Sequence, residues 1–172
     1  MALIDLVSAS RIRAASWAGS PPAPGVNPSN SAQTRLTKRL AQAGAMVWVN
    51  HLGQGDEADR LVAEIGAAGG QAMAVEADVG LAAEVQRMAE QVGALDILVN
   101  NAGILLDDIK LAPSAQTLQT WRDTFDTNVF AVIAVTQAFL PLINASPAGR
   151  IVNVSSILGS LTLHSQPGSP IY

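Results

Sequence analysis

Asn100, Asn101, Ala102 and Gly103 close a largely apolar run, Leu-Asp-Ile-Leu-Val at 95–99. Ligands of open α/β sheets sit outside the carboxyl ends of the strands. Small residues at such an end let a ligand approach the backbone, and asparagine side chains can tie neighbouring strands together. The plain alternative is an ordinary turn, which Asn and Gly favour in any setting. Asp78 and Val79 follow a second strand-like run, 72–75. That aspartate either receives a hydrogen bond from a ligand or caps the helix starting near Leu81. Asn128 interrupts an apolar helical stretch and must find partners, because a buried polar group left unpaired costs about 1–3 kcal/mol. A backbone carbonyl is the simplest such partner. Ser155 and Ser156 end a further strand-like run that begins at Arg150. They are either a polar terminus or hydroxyls able to polarise a substrate carbonyl.

The elements that must position these residues alternate. From about Ser31 onward, short apolar strands follow amphipathic helices, the pattern of a parallel sheet covered on both faces. Leu36, Leu40 and Ala43 form a helical stripe that stops at Gly44, and strand residues 46–50 follow. Ala58, Leu61, Val62 and Ile65 form the next stripe, closed by Gly69 and Gly70, and Val85, Met88, Ala89 and Val92 form a third, closed by Gly93. Leu118, Trp121 and Phe125 lead into an apolar stretch from Val129 to Ile143, in which Pro141 is expected to kink the last turns. Residues 156–172 read as loop. Residues 2–7 suit a strand, but 19–31 is a Pro/Gly/Ser/Asn tract, and nothing directly before the 35–43 helix reads as one. The expected division is therefore an irregular or degenerate segment, 1–33, followed by a partial nucleotide-binding domain, 34–172.

Bulk properties narrow the function. The chain has 172 residues, a net charge of −4, 49% hydrophobic and 14% charged residues, and no cysteine. It can bury a core and is not disordered by composition. Without a Lys/Arg cluster, no nucleic-acid or anionic-membrane surface is expected. Thiolate chemistry and disulfides are excluded. His51 and His164 lack ligand spacing, so no metal site is expected. Residues 1–7 read poorly as a signal peptide, no apolar run looks long enough to span a bilayer, and a cytoplasmic protein is the expectation.

Leu-Asp-Ile-Leu-Val-Asn-Asn-Ala-Gly at 95–103 resembles the fourth-strand motif of the short-chain dehydrogenase/reductase family, and the resemblance runs from about Arg35 to Ser156. It implies a Rossmann-like doubly wound parallel sheet, incomplete at the C-terminus, and hydride transfer between NAD(P) and a small carbonyl or alcohol substrate. It further implies that Asp78 receives the adenine amino group, that Val79 packs on the ring, that Asn100, Asn101, Ala102 and Gly103 border the cofactor, and that Asn128 holds a water in a proton relay. Ser156 would polarise the substrate carbonyl. The residue at the end of the second family strand, Asn50-His51, would set cofactor choice. An acidic side chain there would favour NAD; none is present, and the lean is to NADP. Family members are usually homo-oligomers.

Two departures temper that expectation. The glycine-rich turn that meets the pyrophosphate is missing: one alignment places its glycines on Asn27, Ser31 and Gln33, and another places the turn at residues 7–13, followed by an insertion. Neither has the glycines that allow phosphate to reach bare backbone, so cofactor binding is expected to be impaired. The catalytic tyrosine is doubtful as well. Tyr172 is either that residue, displaced by a longer loop, or one that precedes it, and the lysine four residues further on falls beyond the chain. A free tyrosine has a pKa of about 10 and is a slow acid–base group. The alternative function is therefore a catalytically inactive remnant or a nucleotide-binding or association module. A flavodoxin-like signalling domain explains neither the asparagine turn nor the serine pair. An open sheet edge at 150–155 and an uncovered apolar helix are also expected.

Overall fold

The computed structural model describes residues 2–6, 32–108, 111–155, 159, 160, 162 and 165. Five strands form one sheet: β1 (Ala2–Leu6), β2 (Met46–His51), β3 (Gln71–Glu76), β4 (Ile97–Asn100) and β5 (Arg150–Asn153). All neighbours are parallel and the order is β3-β2-β1-β4-β5. Between them lie α1 (Ala32–Gln42), α2 (Gly55–Ala67), α3 (Ala82–Val92), α4 (Leu118–Phe125) and α5 (Ala131–Ala145).

This order makes the sheet doubly wound. The chain builds outward from β1 through β2 to β3, then crosses back to place β4 on the other side of β1. Alternation along the strands feeds two cores, because successive side chains point to opposite faces. Val47, Val49 and Val99 pack with Ala41 of α1 and Ile65 of α2. Trp48, Val75 and Leu98 pack on the other face with Val85, Met88 and Val92 of α3 and Val135, Phe139 and Ile143 of α5. The predicted helix stops are in place. Gly44, Gly69 and Gly93 have φ of 88°, 81° and 70°, a region that L side chains rarely adopt.

Three expectations need amendment. First, β1 lies inside the 1–33 segment expected to be irregular, and it is the central strand, its register running from Ala2↔Met46 to Leu6↔Asn50. The suspected strand at residues 2–7 is thus real, although α1 begins only at Ala32. Second, a helical irregularity without a signal in the sequence lies at Asp126–Phe130, a π-helical stretch joining α4 to α5, while Pro141 sits inside α5. Third, α4, this stretch and α5 run on as one helix, Leu118–Ala145, of 28 residues, long and apolar enough by length and composition to cross a membrane. The sequence shows no apolar run of that length because Arg122, Asp123 and Asp126 stand within the helix. Its buried stripe, Ala131, Val135, Phe139 and Ile143, belongs to the core beneath the sheet.

Ala138 and Leu142 pack partly against that core, while the opposite face of the helix is open. Phe125, Phe130, Ile133 and Leu140 are exposed, and so are Ile151 and Val152 of β5. Among the described residues β5 pairs only with β4.

Candidate active site at the carboxyl rim of the sheet

The strand order reverses between β1 and β4, and such a switch point leaves a crevice at the carboxyl ends of the strands. Asn100 ends β4 there and is 3% exposed. Its Nδ2 donates to Asn153 Oδ1 on β5 at 2.8 Å and to Thr136 Oγ1 on α5 at 3.2 Å. The side chain therefore ties β4 to β5 and both to the helix behind them. Val154 N–H donates to the Asn100 carbonyl at 2.9 Å, extending the ladder past β5 and bringing the chain as far as Ser155 to this rim.

The chain after Asn100 is fixed by a second asparagine. Asn128 Oδ1 accepts from Ile104 N–H at 2.8 Å, and Asn128 Nδ2 donates to the Ile104 carbonyl at 2.8 Å. Ile104 is buried. One amide thus satisfies both backbone groups of the residue after Gly103. Its partners are a backbone N–H and carbonyl of the asparagine-turn loop itself, and Asn128 is exposed rather than buried as its apolar neighbours in the sequence suggested. The π-helical stretch inserts an extra residue into the helix at this point, a distortion often found at functional sites. It sets Asn128 opposite the loop. Gly103 faces the same amide: a Cβ there would lie 3.6 Å from Asn128 Oδ1.

Val79, Asn100, Ala102, Thr127, Ala131, Val132 and Val135 line a small crevice behind this loop. Three residues singled out in the sequence, Val79, Asn100 and Ala102, are thus brought together from different elements. Asp78 stands next to Val79. Its Oδ1 accepts from Gly80 N–H at 2.9 Å, and its own N–H donates to Glu84 Oε2 at 2.7 Å. It is not the cap of α3: Leu81 occupies that position and caps with no side chain. Glu84, in the first turn of α3, reaches back instead, a variant of the capping box.

Asn50 plays a different part from a rim residue. It is 1% exposed, and its Nδ2 donates to the carbonyls of Val75 at 3.3 Å and Ala77 at 3.0 Å. It holds the end of β3 in place, and so the approach to Asp78 and Val79. Ser156 and Tyr172 lie outside the described residues, as do residues 7–13, Asn27 and Ser31, where the two alignments placed the glycine-rich turn. Gln33, the remaining position, falls in the first turn of α1. The stretch linking β1 to α1 is residues 7–31, so the placement at 7–13 is the one that starts directly after the central strand.

The rim suits a polar, planar ligand approaching backbone. Among the described residues, Asn101 Nδ2 and Asn100 Oδ1 are buried with no hydrogen-bond partner. Most buried polar groups are paired, so each exception calls for an explanation. These two leave one amide donor and one amide acceptor unpaired beside Ala102 and Gly103. Sequence reasoning missed Ile104, Thr136 and Glu84. Only Glu84 carried a local signal, a glutamate at the third position of a helix; the other two required the tertiary arrangement.

A family model described as short chain dehydrogenase matches residues 34–172. The chain is 36% identical over 141 residues to the 3-oxoacyl-[acyl-carrier-protein] reductase FabG of Staphylococcus epidermidis, a match covering 80% of this chain and 55% of that protein. It is 36% identical over 137 residues to the 3-oxoacyl-[acyl-carrier-protein] reductase of Synechocystis, covering 77% and 53%. Among solved structures, a short chain dehydrogenase from Burkholderia cenocepacia in complex with NADP superposes with a TM-score of 0.66 at 35% identity, covering 73% of this chain and 51% of that one. A putative short chain dehydrogenase from Escherichia coli gives a TM-score of 0.70 at 26% identity, covering 91% and 62%. The chain spans about half the length of the curated relatives it matches. With its doubly wound parallel sheet and its asparagine-lined rim, this chain belongs to the short-chain dehydrogenase/reductase family.

Proposed function

We propose that the chain forms the nucleotide-binding half of an NAD(P)-dependent oxidoreductase that transfers hydride between the cofactor and a small carbonyl or alcohol. The naming of its relatives as 3-oxoacyl-[acyl-carrier-protein] reductases favours a 3-oxoacyl group as the carbonyl. The observation that carries the proposal is the Asn128–Ile104 double hydrogen bond, which fixes Gly103 and the loop from Asn100 at the sheet's switch point. When bound, a nicotinamide cofactor supplies or accepts the hydride. The chain's own residues hold the site: Asn100 and Asn128 fix the rim, Ala102 and Gly103 leave the backbone accessible, and Asp78 and Val79 border the adenine side. Ser156 is assigned the polarisation of the substrate carbonyl, and Tyr172 is retained as the candidate proton donor. The protein is placed in the cytoplasm, with association between copies through the exposed face of α5.

Binding is proposed to be weak. β1 ends at Leu6 and the next glycine in the chain is Gly19, so the turn that should meet the pyrophosphate has a Cβ at every residue. Titration with NADPH, followed by nicotinamide fluorescence, is expected to show no saturation at micromolar cofactor and a signal still rising in the millimolar range. Saturation at micromolar concentration would refute the reading of the missing glycines. A flat response at millimolar concentration would remove the nucleotide site and leave the alternative, a chain that associates without catalysis of its own.

A further inference from the structure

The sequence offers no acidic side chain at the end of β2, yet the fold brings one there from the neighbouring strand. Glu76 ends β3 and pairs in register with His51, the last residue of β2. Both lie on the α2 face of the sheet, opposite to Val75, which packs with α3 and α5. Glu76 Oε1 accepts from Gly53 N–H at 3.2 Å, placing the carboxylate on the turn between β2 and α2. Gly53 has φ of 76°, so the turn is held in a conformation that suits glycine. Asp56 and Glu57 add negative charge in the first turn of α2.

A second observation marks this corner as a place for a ligand. His51 is 8% exposed, and its Nδ1 is buried without a hydrogen-bond partner among the described residues. Its Cε1 lies against the start of α2, 3.9 Å from where a Cβ on Gly55 would stand. An imidazole nitrogen and a carboxylate side by side suit ribose hydroxyls, which both donate and accept. A phosphate dianion beside the Glu76 carboxylate is disfavoured.

We propose that Glu76 is a specificity-determining residue: from β3 it reads the adenosine ribose and disfavours a 2′-phosphate, a task for which a dinucleotide site ordinarily uses an acid on β2. This rests on the nucleotide-binding reading above and opposes the lean to NADP taken from residues 50 and 51 alone. Glu76→Gln keeps an acceptor for Gly53 N–H and removes the charge; Glu76→Lys reverses it.

The test is titration of the full chain and both variants with NADH and with NADPH, to millimolar concentration and at low salt, with thermal unfolding as a check on folding. Expected is a shift of the NADPH-to-NADH affinity ratio toward NADPH by roughly threefold for Glu76→Gln and roughly tenfold for Glu76→Lys, shrinking as salt is added, as partly exposed charges are screened. A ratio within twofold of the parent for both variants, with binding retained, overturns the assignment of Glu76 alone. Absence of binding by either cofactor to all three proteins overturns the nucleotide-binding reading and this inference with it.

Discussion

Replacing Asn128 with leucine is expected to destabilise the protein by roughly 1–3 kcal/mol, because two part-buried backbone groups lose their partner and water replaces only part of it. Leucine suits a helix but cannot bond to Ile104. Both the N–H and the carbonyl of Ile104 now depend on one side-chain amide at 2.8 Å. The loss is local in origin and should be visible locally. Urea unfolding would give the stability change, and exchange of the Ile104 amide should accelerate well before the core amides do. Cofactor affinity should fall too, since Gly103 is positioned by the same clamp. A variant that unfolds at the parental urea concentration, with Ile104 still protected, would show that the loop is held by other means.

Truncating Phe139 to alanine should have a larger effect. Phe139 is fully buried, packed from α5 among Val85, Met88 and Leu98 under the sheet. Removing a buried phenylalanine costs about 3–5 kcal/mol in lost transfer energy and residual cavity. Domains are stable by only about 5–15 kcal/mol in total, so this change takes a large share. Among the described residues the outer face of α5 is exposed, which leaves few compensating contacts on that side. Phe139→Leu, which refills most of the volume, should recover more than half of the loss. Equilibrium unfolding followed by circular dichroism checks both. A loss below about 1 kcal/mol for alanine would mean that α5 is not anchored as described.

Much of this fold is legible in the sequence because its signals are local. Gly44, Gly69 and Gly93 end helices whose apolar stripes match the buried faces, and the runs at 46–50, 72–75 and 95–99 coincide closely with β2, β3 and β4. The role of Asn100 as a tie between strands follows from its place at a strand end. What escaped notice depends on distance in the chain. Ala2–Leu6 suits a strand, but its position at the centre of the sheet is fixed by pairing with β2 and β4, and no turn glycine or nearby helix advertises it. The π-helical stretch at Asp126–Phe130 adds one residue to a turn without altering composition, so it leaves no pattern to read. Glu76 looks like an outward-facing strand residue until the register sets it beside His51 and the Gly53 turn. Asn50 looks like a rim residue until the fold buries it beneath the approach to Asp78.

The measurement that bears most directly on the account is a backbone NMR titration of the full chain with millimolar NADPH, in which even weak binding shifts resonances. The largest changes are predicted at Val79, Asn101, Ala102, Gly103 and Ile104, the residues that the two asparagine clamps gather at the switch point. Changes confined to the amino-end loops of the sheet, or none at all at saturating cofactor, would contradict the assignment of that rim as the nicotinamide nucleotide site.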